Sequence, residues 1–236
     1  MQYFHCDLAD KSSIVQASSA VRDALGHPTV LINNAGCARG KTILDSTEND
    51  VRLTFNVNTL SHYFLAQQLL PHMIEKNHGM VVTVASLAGY LTAPSMVDYS
   101  ASKAAALAFH EGLSAELTTR YKADKVRTVV MCQGYTRTAL FEGFAGNSLY
   151  PETVAEEIVK AVLKGRSAHL VLPESTWGIV PKVRAWPVWM QYGFRKGLKN
   201  LMSSWKGRQV DQPSEAVQEK GKPKGVEESA VLVEKH

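Results

Sequence analysis

The 236-residue sequence is poor in cysteine and has no long apolar run. Its cysteines, Cys6, Cys37 and Cys132, show no CxxC spacing, which argues against a disulfide framework and favours reduced thiols buried in a core. No run approaches the roughly eighteen apolar residues of a transmembrane helix, and no secretory signal opens the sequence. We therefore expect a globular domain in a reducing compartment.

Charge is also limited, at a net +4, and no block of arginine and lysine interleaved with aromatics indicates a nucleic-acid surface. The eight histidines include no pair at a metal-ligand spacing, so we expect neither nucleic acid nor metal. The length and the 45% hydrophobic content suffice for one substantial core.

Short apolar runs alternate with segments of helical periodicity, which predicts an α/β fold with a parallel sheet and helices on both faces. Thr29–Ile32 is fully apolar, as in a strand buried on both faces. Pro71 predicts a kink or break in a long helix. The predicted strands are residues 3–8, 29–32, 80–85, 126–132 and 169–172, and the predicted helices are residues 11–25, 48–77, 97–121 and 151–164.

One stretch, from Ser86 to Lys103, carries groups suited to proton transfer. It follows an apolar run and enters a helix on which Tyr99 and Lys103, four residues apart, share a face. A phenol has a pKa near 10, and an adjacent ammonium favours the phenolate and lowers that pKa. A tyrosine and a lysine at this spacing are nevertheless common on helix surfaces, so the pair alone does not define a site.

Further motifs accompany this stretch along the chain. In order, they are Asn33-Asn34-Ala35-Gly36, Asn58, Ser86, Tyr99-Ser100-Ala101-Ser102-Lys103 and the loop from Gly134 to Thr138. Together they resemble the short-chain dehydrogenase/reductase family over residues 1–172, and more finely its retinol and 17β-hydroxysteroid dehydrogenase branch. The resemblance implies a Rossmann-like, doubly wound parallel sheet that binds NADP or, alternatively, NAD.

The resemblance also implies catalytic roles. Tyr99 would be the general acid in carbonyl reduction and the general base in alcohol oxidation, while Ser86 would hold and polarise the substrate oxygen. Lys103 would lower the pKa of the phenol and bind the nicotinamide ribose. Asn58 would hold a water behind Lys103, with Asn56 as a competing candidate.

The cofactor residues follow in the same way. Asp7 would contact adenine, and the turn of Asn33, Asn34, Ala35 and Gly36 would pass the adenosine ribose. Gly134 and Thr138 would close over the nicotinamide. The family usually has Pro-Gly in that loop, and Gln133 here replaces the proline, so we expect altered closure.

The largest departure from the family is the lack of its first two strands and of the glycine-rich turn that holds the pyrophosphate. The strand predicted at residues 3–8 would then pair beside residues 29–32, leave the sheet or be disordered. Residues 29–32 would become an exposed apolar edge. We expect an NAD(P)-dependent oxidoreductase of a lipophilic alcohol or carbonyl, impaired in this chain, or alternatively a non-catalytic, membrane-associated or dimerising fragment.

The sequence past residue 172 combines all four tryptophans with basic residues, and no acid lies between Glu174 and Asp211. Two interpretations of residues 173–208 stay open: a lid over an apolar substrate, or contact with a membrane through Trp177–Arg208. Residues 209–236 are polar and charged, which predicts a disordered tail. We further expect a homodimer formed through the long helices, located in the cytoplasm or on the cytoplasmic face of the endoplasmic reticulum or a lipid droplet.

Overall fold

The computed structural model describes residues 2–141, 144, 146–202 and 205. Four strands alternate with helices along this chain, and short 3₁₀ turns lie at Leu87–Gly89, Ala139–Phe141, Glu174–Thr176 and Val180–Ala185. The strands and helices are, in order, α1 (Lys11–Leu25), β1 (Val30–Asn33), α2 (Glu48–Phe55), α3 (Ser61–Glu75), β2 (Gly79–Val84), α4 (Val97–Thr119), β3 (Val126–Gln133), α5 (Pro151–Lys164), β4 (Ala168–Leu172) and α6 (Val188–Gly197).

The strands form one parallel sheet in the order β1-β2-β3-β4, with a helical crossover between each pair. The register places Leu31 beside Val81, and Val82 beside Val129. Parallel strands need such crossovers, and the crossovers cover both faces of the sheet. The predicted α/β class is confirmed.

Each face of the sheet has its own apolar core. Leu31 and Val81 point toward α3 and α4, where they meet Met73 and Phe109. On the opposite face, Val82 of β2 and Val129 of β3 pack against α5, where they meet Ile158. The central strands are therefore fully enclosed, which fixes the positions of their carboxyl ends.

Local sequence signals determine where α1 begins and ends. The Asp10 side chain accepts hydrogen bonds from the backbone N–H groups of Ser12 and Ser13, which satisfies donors that an α-helix leaves free at its start. Gly26 ends α1 at a φ of 78°, a conformation that glycine adopts without strain.

The predicted strand at residues 3–8 is wrong, since residues 2–7 form no strand. A strand needs a ladder partner, and here local bonds compete: the Asp7 carboxylate accepts from Ala9 N at 2.9 Å, and Asp7 N donates to Ser13 Oγ at 2.8 Å. Of the three outcomes expected for this segment, the structure shows the second: the segment lies outside the sheet.

β1 is therefore an edge strand, as expected, but it is not buried on both faces. Leu31 and Asn33 are buried, whereas Val30 and Ile32 are 38% and 48% exposed. These two side chains lie on the α5 side of the sheet, where α5 packs against β3 and β4. An all-apolar run thus does not distinguish a central strand from a half-covered edge.

Of the kink or break expected at Pro71, the break is wrong, because α3 continues through it to Glu75. Arg22 Nη1 donates to the carbonyl of Gln68 at 3.1 Å, so α1 supplies a polar partner in the turn before the proline. The predicted long helix is instead interrupted earlier, by a π-helical turn at Asn56–Leu60.

The segment after β4 packs back onto the domain. Val183 is fully buried, and Met202 and Trp205 are buried as well. The division at residue 172 stays a prediction, and the tail predicted at residues 209–236 lies outside the described residues.

Candidate functional site

The site lies where the parallel strands end. Asn34 follows β1, Ser86 follows β2 and Gly134 follows β3, so the topology brings three separate sequence motifs to one edge of the sheet. This edge is where open α/β sheets bind their ligands.

Helix α4 brings Tyr99 and Lys103 to this edge, and both side chains are buried. Lys103 Nζ lies 5.9 Å from the centre of the Tyr99 ring and donates to the Val84 carbonyl at 2.7 Å. That is its one hydrogen bond among the described residues, so two of the ammonium's three N–H donors are left for a ligand.

Burial dominates the protonation of both groups. Desolvation lowers the pKa of Lys103 to about 8 and raises the pKa of Tyr99 to about 12. The expectation that Lys103 lowers the phenol's pKa does not hold in this ligand-free geometry, because the hydroxyl of Ser86, not the ammonium, is what opposes the desolvation of Tyr99. At neutral pH Tyr99 is therefore a phenol, ready to donate a proton.

Ser86 begins the turn that follows β2. Its Oγ accepts from Ala88 N at 3.1 Å and donates to the Gln133 carbonyl at 3.3 Å. The two bonds fix its hydroxyl between the ends of β2 and β3. Gln133, which stands in place of the family's proline, thus contributes its backbone oxygen to the site, while its buried side-chain Oε1 has no hydrogen-bond partner in the described part of the chain.

Asn58 lies behind Lys103 and is fully buried in the π-helical turn. Its Oδ1 accepts from Cys37 N at 2.8 Å, and its Nδ2 donates to the Cys37 carbonyl at 2.8 Å and to Ser102 Oγ at 2.9 Å. Asn56 instead donates to the surface carbonyl of Ala9. The position of Asn58 therefore favours it over Asn56, and a π turn at such a point is typical of functional sites.

A cleft of about 830 Å³ opens along the strand ends. Of the predicted cofactor residues, it is lined by Asn34, Ala35, Gly36, Tyr99, Lys103, Gly134 and Thr138. Asp7 and Asn33 do not line it: Asp7 caps the turn before α1, and Asn33 is buried, with no partner for either amide atom among the described residues. The structure thus brings most of the predicted set together and leaves Asp7 apart.

A smaller cavity of about 160 Å³ adjoins the cleft. Ser86, Tyr99 and Gly134 form its polar end, and the rest of its lining is almost entirely apolar: Leu87, Ala88, Leu91, Ala93, Met96, Ser100, Tyr135, Phe141, Val180, Leu198 and Leu201. Tyr99 and Gly134 line both spaces, so the phenol stands at the boundary between the cleft and the apolar cavity.

Sequence reasoning missed an aromatic cluster beside Tyr99. Tyr135 OH donates to Met202 Sδ at 2.8 Å, and the Phe141 ring lies 6.0 Å from Tyr99 and 5.3 Å from Trp205. The aromatic side chain directly after Gly134 and the apolar run at residues 139–141 could have indicated Tyr135 and Phe141. Nothing in the sequence predicts that Met202 meets them.

The tryptophans of the basic segment divide between two environments. Trp205 is 5% exposed within the cluster beside Tyr99, and Trp186 packs edge-on against Phe194. Trp189 is 75% exposed on α6. In the described part of the chain, no helix combines the length and the apolar character that crossing a membrane requires.

Comparison with known proteins assigns the family. The family model described as short chain dehydrogenase matches residues 1–147. Dehydrogenase RED3 of Cochliobolus heterostrophus is 50% identical over 126 residues, 53% of this chain and 64% of that protein. Human 17-beta-hydroxysteroid dehydrogenase 13 is 33% identical over 67% of this chain and 52% of its own, and zebrafish (Danio rerio) retinol dehydrogenase 10-B is 34% identical over 68% and 50%.

The chain belongs to the short-chain dehydrogenase/reductase family, in its retinol and 17β-hydroxysteroid dehydrogenase-like branch. It spans 49–64% of the length of the first curated relatives. Among solved structures, an alcohol dehydrogenase from Thermococcus sibiricus, complexed with 5-hydroxy-NADP, superposes with a TM-score of 0.63 at 23% identity over 72% of this chain and 73% of that one. At that identity the likeness establishes the Rossmann-like fold.

Proposed function

We propose that this chain carries the proton-transfer site of an NAD(P)-dependent oxidoreductase that interconverts a lipophilic alcohol and its aldehyde or ketone. The observation that carries the proposal is the position of Tyr99 between an apolar cavity and an open cleft. A carbonyl oxygen held by Ser86 at the polar end of the cavity would lie beside a neutral phenol. The apolar lining would accept the hydrocarbon part of the substrate.

In reduction, Tyr99 gives its proton to the developing alkoxide while Ser86 holds the same oxygen. Lys103, whose pKa of about 8 keeps it mostly charged at neutral pH, would meanwhile hold the nicotinamide ribose with the two N–H donors that the Val84 carbonyl does not accept. In oxidation, Tyr99 takes the proton back. A bound nicotinamide supplies or accepts the hydride.

The cleft fits the nicotinamide ribose end of such a cofactor. Gly36 has no side chain, and a methyl group there would lie 3.4 Å from Asn58 Oδ1 and 3.5 Å from Lys103 Nζ, so it would narrow the approach of a ligand to the ammonium. Lys103 and the backbone at Gly36 would hold the ribose, with Gly134 and Thr138 closing the other side. We propose NADP as the cofactor, with NAD as the alternative.

Turnover of a lipophilic alcohol panel with NADP⁺ or NAD⁺ tests this function. Formation of reduced nicotinamide should fall at least about a hundredfold in Tyr99→Phe, because general acid–base catalysis contributes roughly that much or more. Tyr150→Phe, which removes an exposed hydroxyl at the start of α5, is the matched control. Equal activity of wild type and Tyr99→Phe would refute the proposal.

We expect weak cofactor binding by this 236-residue chain. Among the described residues, the sheet ends at β1 and no glycine-rich turn stands beside it to hold a pyrophosphate. Calorimetric titration with NADP⁺ measures this directly, and tight stoichiometric binding would contradict the expectation. If the chain neither binds nucleotide nor turns over substrate, the alternative of a non-catalytic partner becomes the favoured one.

We also propose a homodimer through the groove between α3 and α4. This groove of about 720 Å³ is lined by apolar and aromatic side chains, including Leu70, Phe109 and Tyr121. A second copy would bury them around a twofold axis. Light scattering on wild type and on Tyr121→Asp tests this, and a monomer at all concentrations would refute it.

A membrane surface is proposed for the outer face of α6. Val188, Trp189 and Tyr192 are 80%, 75% and 70% exposed there, and Arg195 and Lys196 follow at its carboxyl end. Aromatic side chains beside cations suit the headgroup region of anionic lipid, which would place the protein on the cytoplasmic face of the endoplasmic reticulum or a lipid droplet.

Flotation with phosphatidylcholine vesicles, with and without phosphatidylserine, tests this surface. Trp189→Ala/Tyr192→Ala should abolish flotation with the anionic vesicles. Ile43→Ala/Leu44→Ala, which removes exposed apolar side chains from another loop, should not. Equal flotation of the two double variants would leave residues 173–208 with the lid role alone.

A further inference from the structure

Arg184, in the turn Val180–Ala185, binds the backbone next to the catalytic serine. Its Nη2 donates to the Gly89 carbonyl at 2.7 Å, and its Nε donates to the Tyr90 carbonyl at 3.1 Å. One guanidinium thus holds two successive carbonyls. The planar fork of arginine permits this geometry, and the point charge of a lysine ammonium does not reproduce it.

The carbonyls that Arg184 holds belong to the loop that carries Ser86. Gly89 N donates to the Ser86 carbonyl at 3.0 Å and closes the turn that Ser86 begins. Gly89 also touches α4 so closely that a Cβ on it would lie 3.0 Å from the Lys103 carbonyl oxygen. A shift of this turn would therefore move Ser86 relative to Lys103 and to Tyr99, one helical turn away.

The segment that carries Arg184 forms part of the wall of the apolar cavity. Val183, beside Arg184, is fully buried, and Gln191 on α6 donates to the Arg184 carbonyl at 3.1 Å. Val180 and Leu198, which flank this segment, line the cavity. Residues 180–201 thus form one wall, and Arg184 joins that wall to the Ser86 turn.

We propose that Arg184 is a positioning residue that sets the Ser86 turn and the cavity wall in one arrangement. The kinetic part of this proposal rests on the proposed oxidoreductase function. Arg184 does not line the cavity or the cleft, so it would act through Ser86. Its loss should impair use of the alcohol substrate and leave cofactor affinity unchanged.

Hydrogen exchange on the purified chain tests the contact without requiring activity. In Arg184→Ala the amides of Gly89, Tyr90 and Leu91, which bond within the turn, should exchange about tenfold faster. Arg184→Lys should lie between the two. Arg166→Ala removes an exposed arginine that has no side-chain bond among the described residues, and it should exchange like wild type. Unchanged exchange in Arg184→Ala would overturn the proposal even if the enzyme is active.

Kinetics then separate positioning from general destabilisation. In Arg184→Ala we expect kcat for the alcohol to fall about tenfold, which corresponds to about 1.4 kcal/mol, with KM for the nucleotide unchanged. Millimolar methylguanidinium should restore part of the loss in Arg184→Ala and none in Tyr99→Phe. A parallel loss of kcat, nucleotide affinity and melting temperature would mean a structural role only. If wild type itself shows no turnover, the proposed function fails while the exchange result still decides the contact.

Discussion

Replacing Lys103 by methionine should make the folded chain more stable at neutral pH. The pKa of this buried ammonium is lowered from 10.5 to about 8 by desolvation, so the native state binds its proton less tightly than the unfolded chain does. Lys103 therefore lowers the free energy of unfolding, and this penalty is largest at pH values below its pKa in the folded state. The penalty disappears as the pH rises toward the pKa of lysine in the unfolded chain. A shift of about 2.5 pKa units corresponds to roughly 3 kcal/mol.

Two contributions determine how Lys103→Met changes the free energy of unfolding. The substitution removes the roughly 3 kcal/mol penalty of burying the charge. It also removes the bond to the Val84 carbonyl, which costs about 1 kcal/mol. We therefore expect the variant to be about 2 kcal/mol more stable than wild type near pH 7, although it should lack activity. Methionine is unbranched and of similar length, so it can occupy the space that the lysine side chain fills.

Urea unfolding of both proteins near pH 7 and near pH 9.5 measures the free-energy penalty of burying the Lys103 charge. Integrating the two pKa values, the penalty in wild type falls by about 2 kcal/mol between these conditions, so the stability gap between variant and wild type should nearly close. Titrating groups that do not interact with Lys103 affect both proteins equally and cancel in the difference. A variant less stable than wild type near pH 7, or a gap that does not change with pH, would refute the reasoning.

Three further predictions follow from the same geometry. Because burial raises the pKa of Tyr99 to about 12, alcohol oxidation at subsaturating substrate should rise about tenfold per pH unit from about pH 7 to pH 9, and a flat profile would show that the phenol ionises far lower. Gly36→Ala should weaken NADP⁺ binding in calorimetry without changing the urea midpoint, since its methyl group would narrow the approach of a ligand to the Lys103 ammonium. Ile32→Lys, at the exposed β1 edge, should reduce light scattering on heating and alter stability by less than about 0.5 kcal/mol, whereas Leu31→Lys on the buried face should cost several kcal/mol in urea unfolding.

The sequence predicted the elements whose signals are local. α5 begins at Pro151 and ends at Lys164 as expected, because proline suits a first helical turn and Gly165 adopts the left-handed conformation after the last. The strand, turn and helix around Ser86, Tyr99 and Lys103 were likewise predicted, since apolar runs and helical spacing determine them.

Features that depend on tertiary partners were not predictable from the chain. Residues 3–8 have the composition of a strand, but without a ladder partner their local bonds prevail. Periodicity treats the Asn56–Leu60 turn as ordinary helix, because its extra residue arises from the Asn58 contacts with Cys37 and Ser102. Composition could not separate Trp205, packed beside Tyr99, from Trp189, exposed on α6.

The central strands of the sheet are covered on both faces and the edge strand β1 is not. The residues at the end of β1 are therefore held less firmly than Ser86 and Lys103. Ser86 and Lys103 are fixed by β2, β3 and α4, whose contacting residues are enclosed on both faces, so the proton-transfer groups are held by the most protected part of the molecule. Asn34 and Gly36 follow β1, whose outer edge pairs with no other strand among the described residues and whose α5-side residues are exposed. The side of the cleft proposed for the nucleotide is therefore held by an edge strand. Any partner that pairs with the β1 edge should tighten NADP⁺ binding while leaving the hydrogen exchange of the Ser86 turn unchanged.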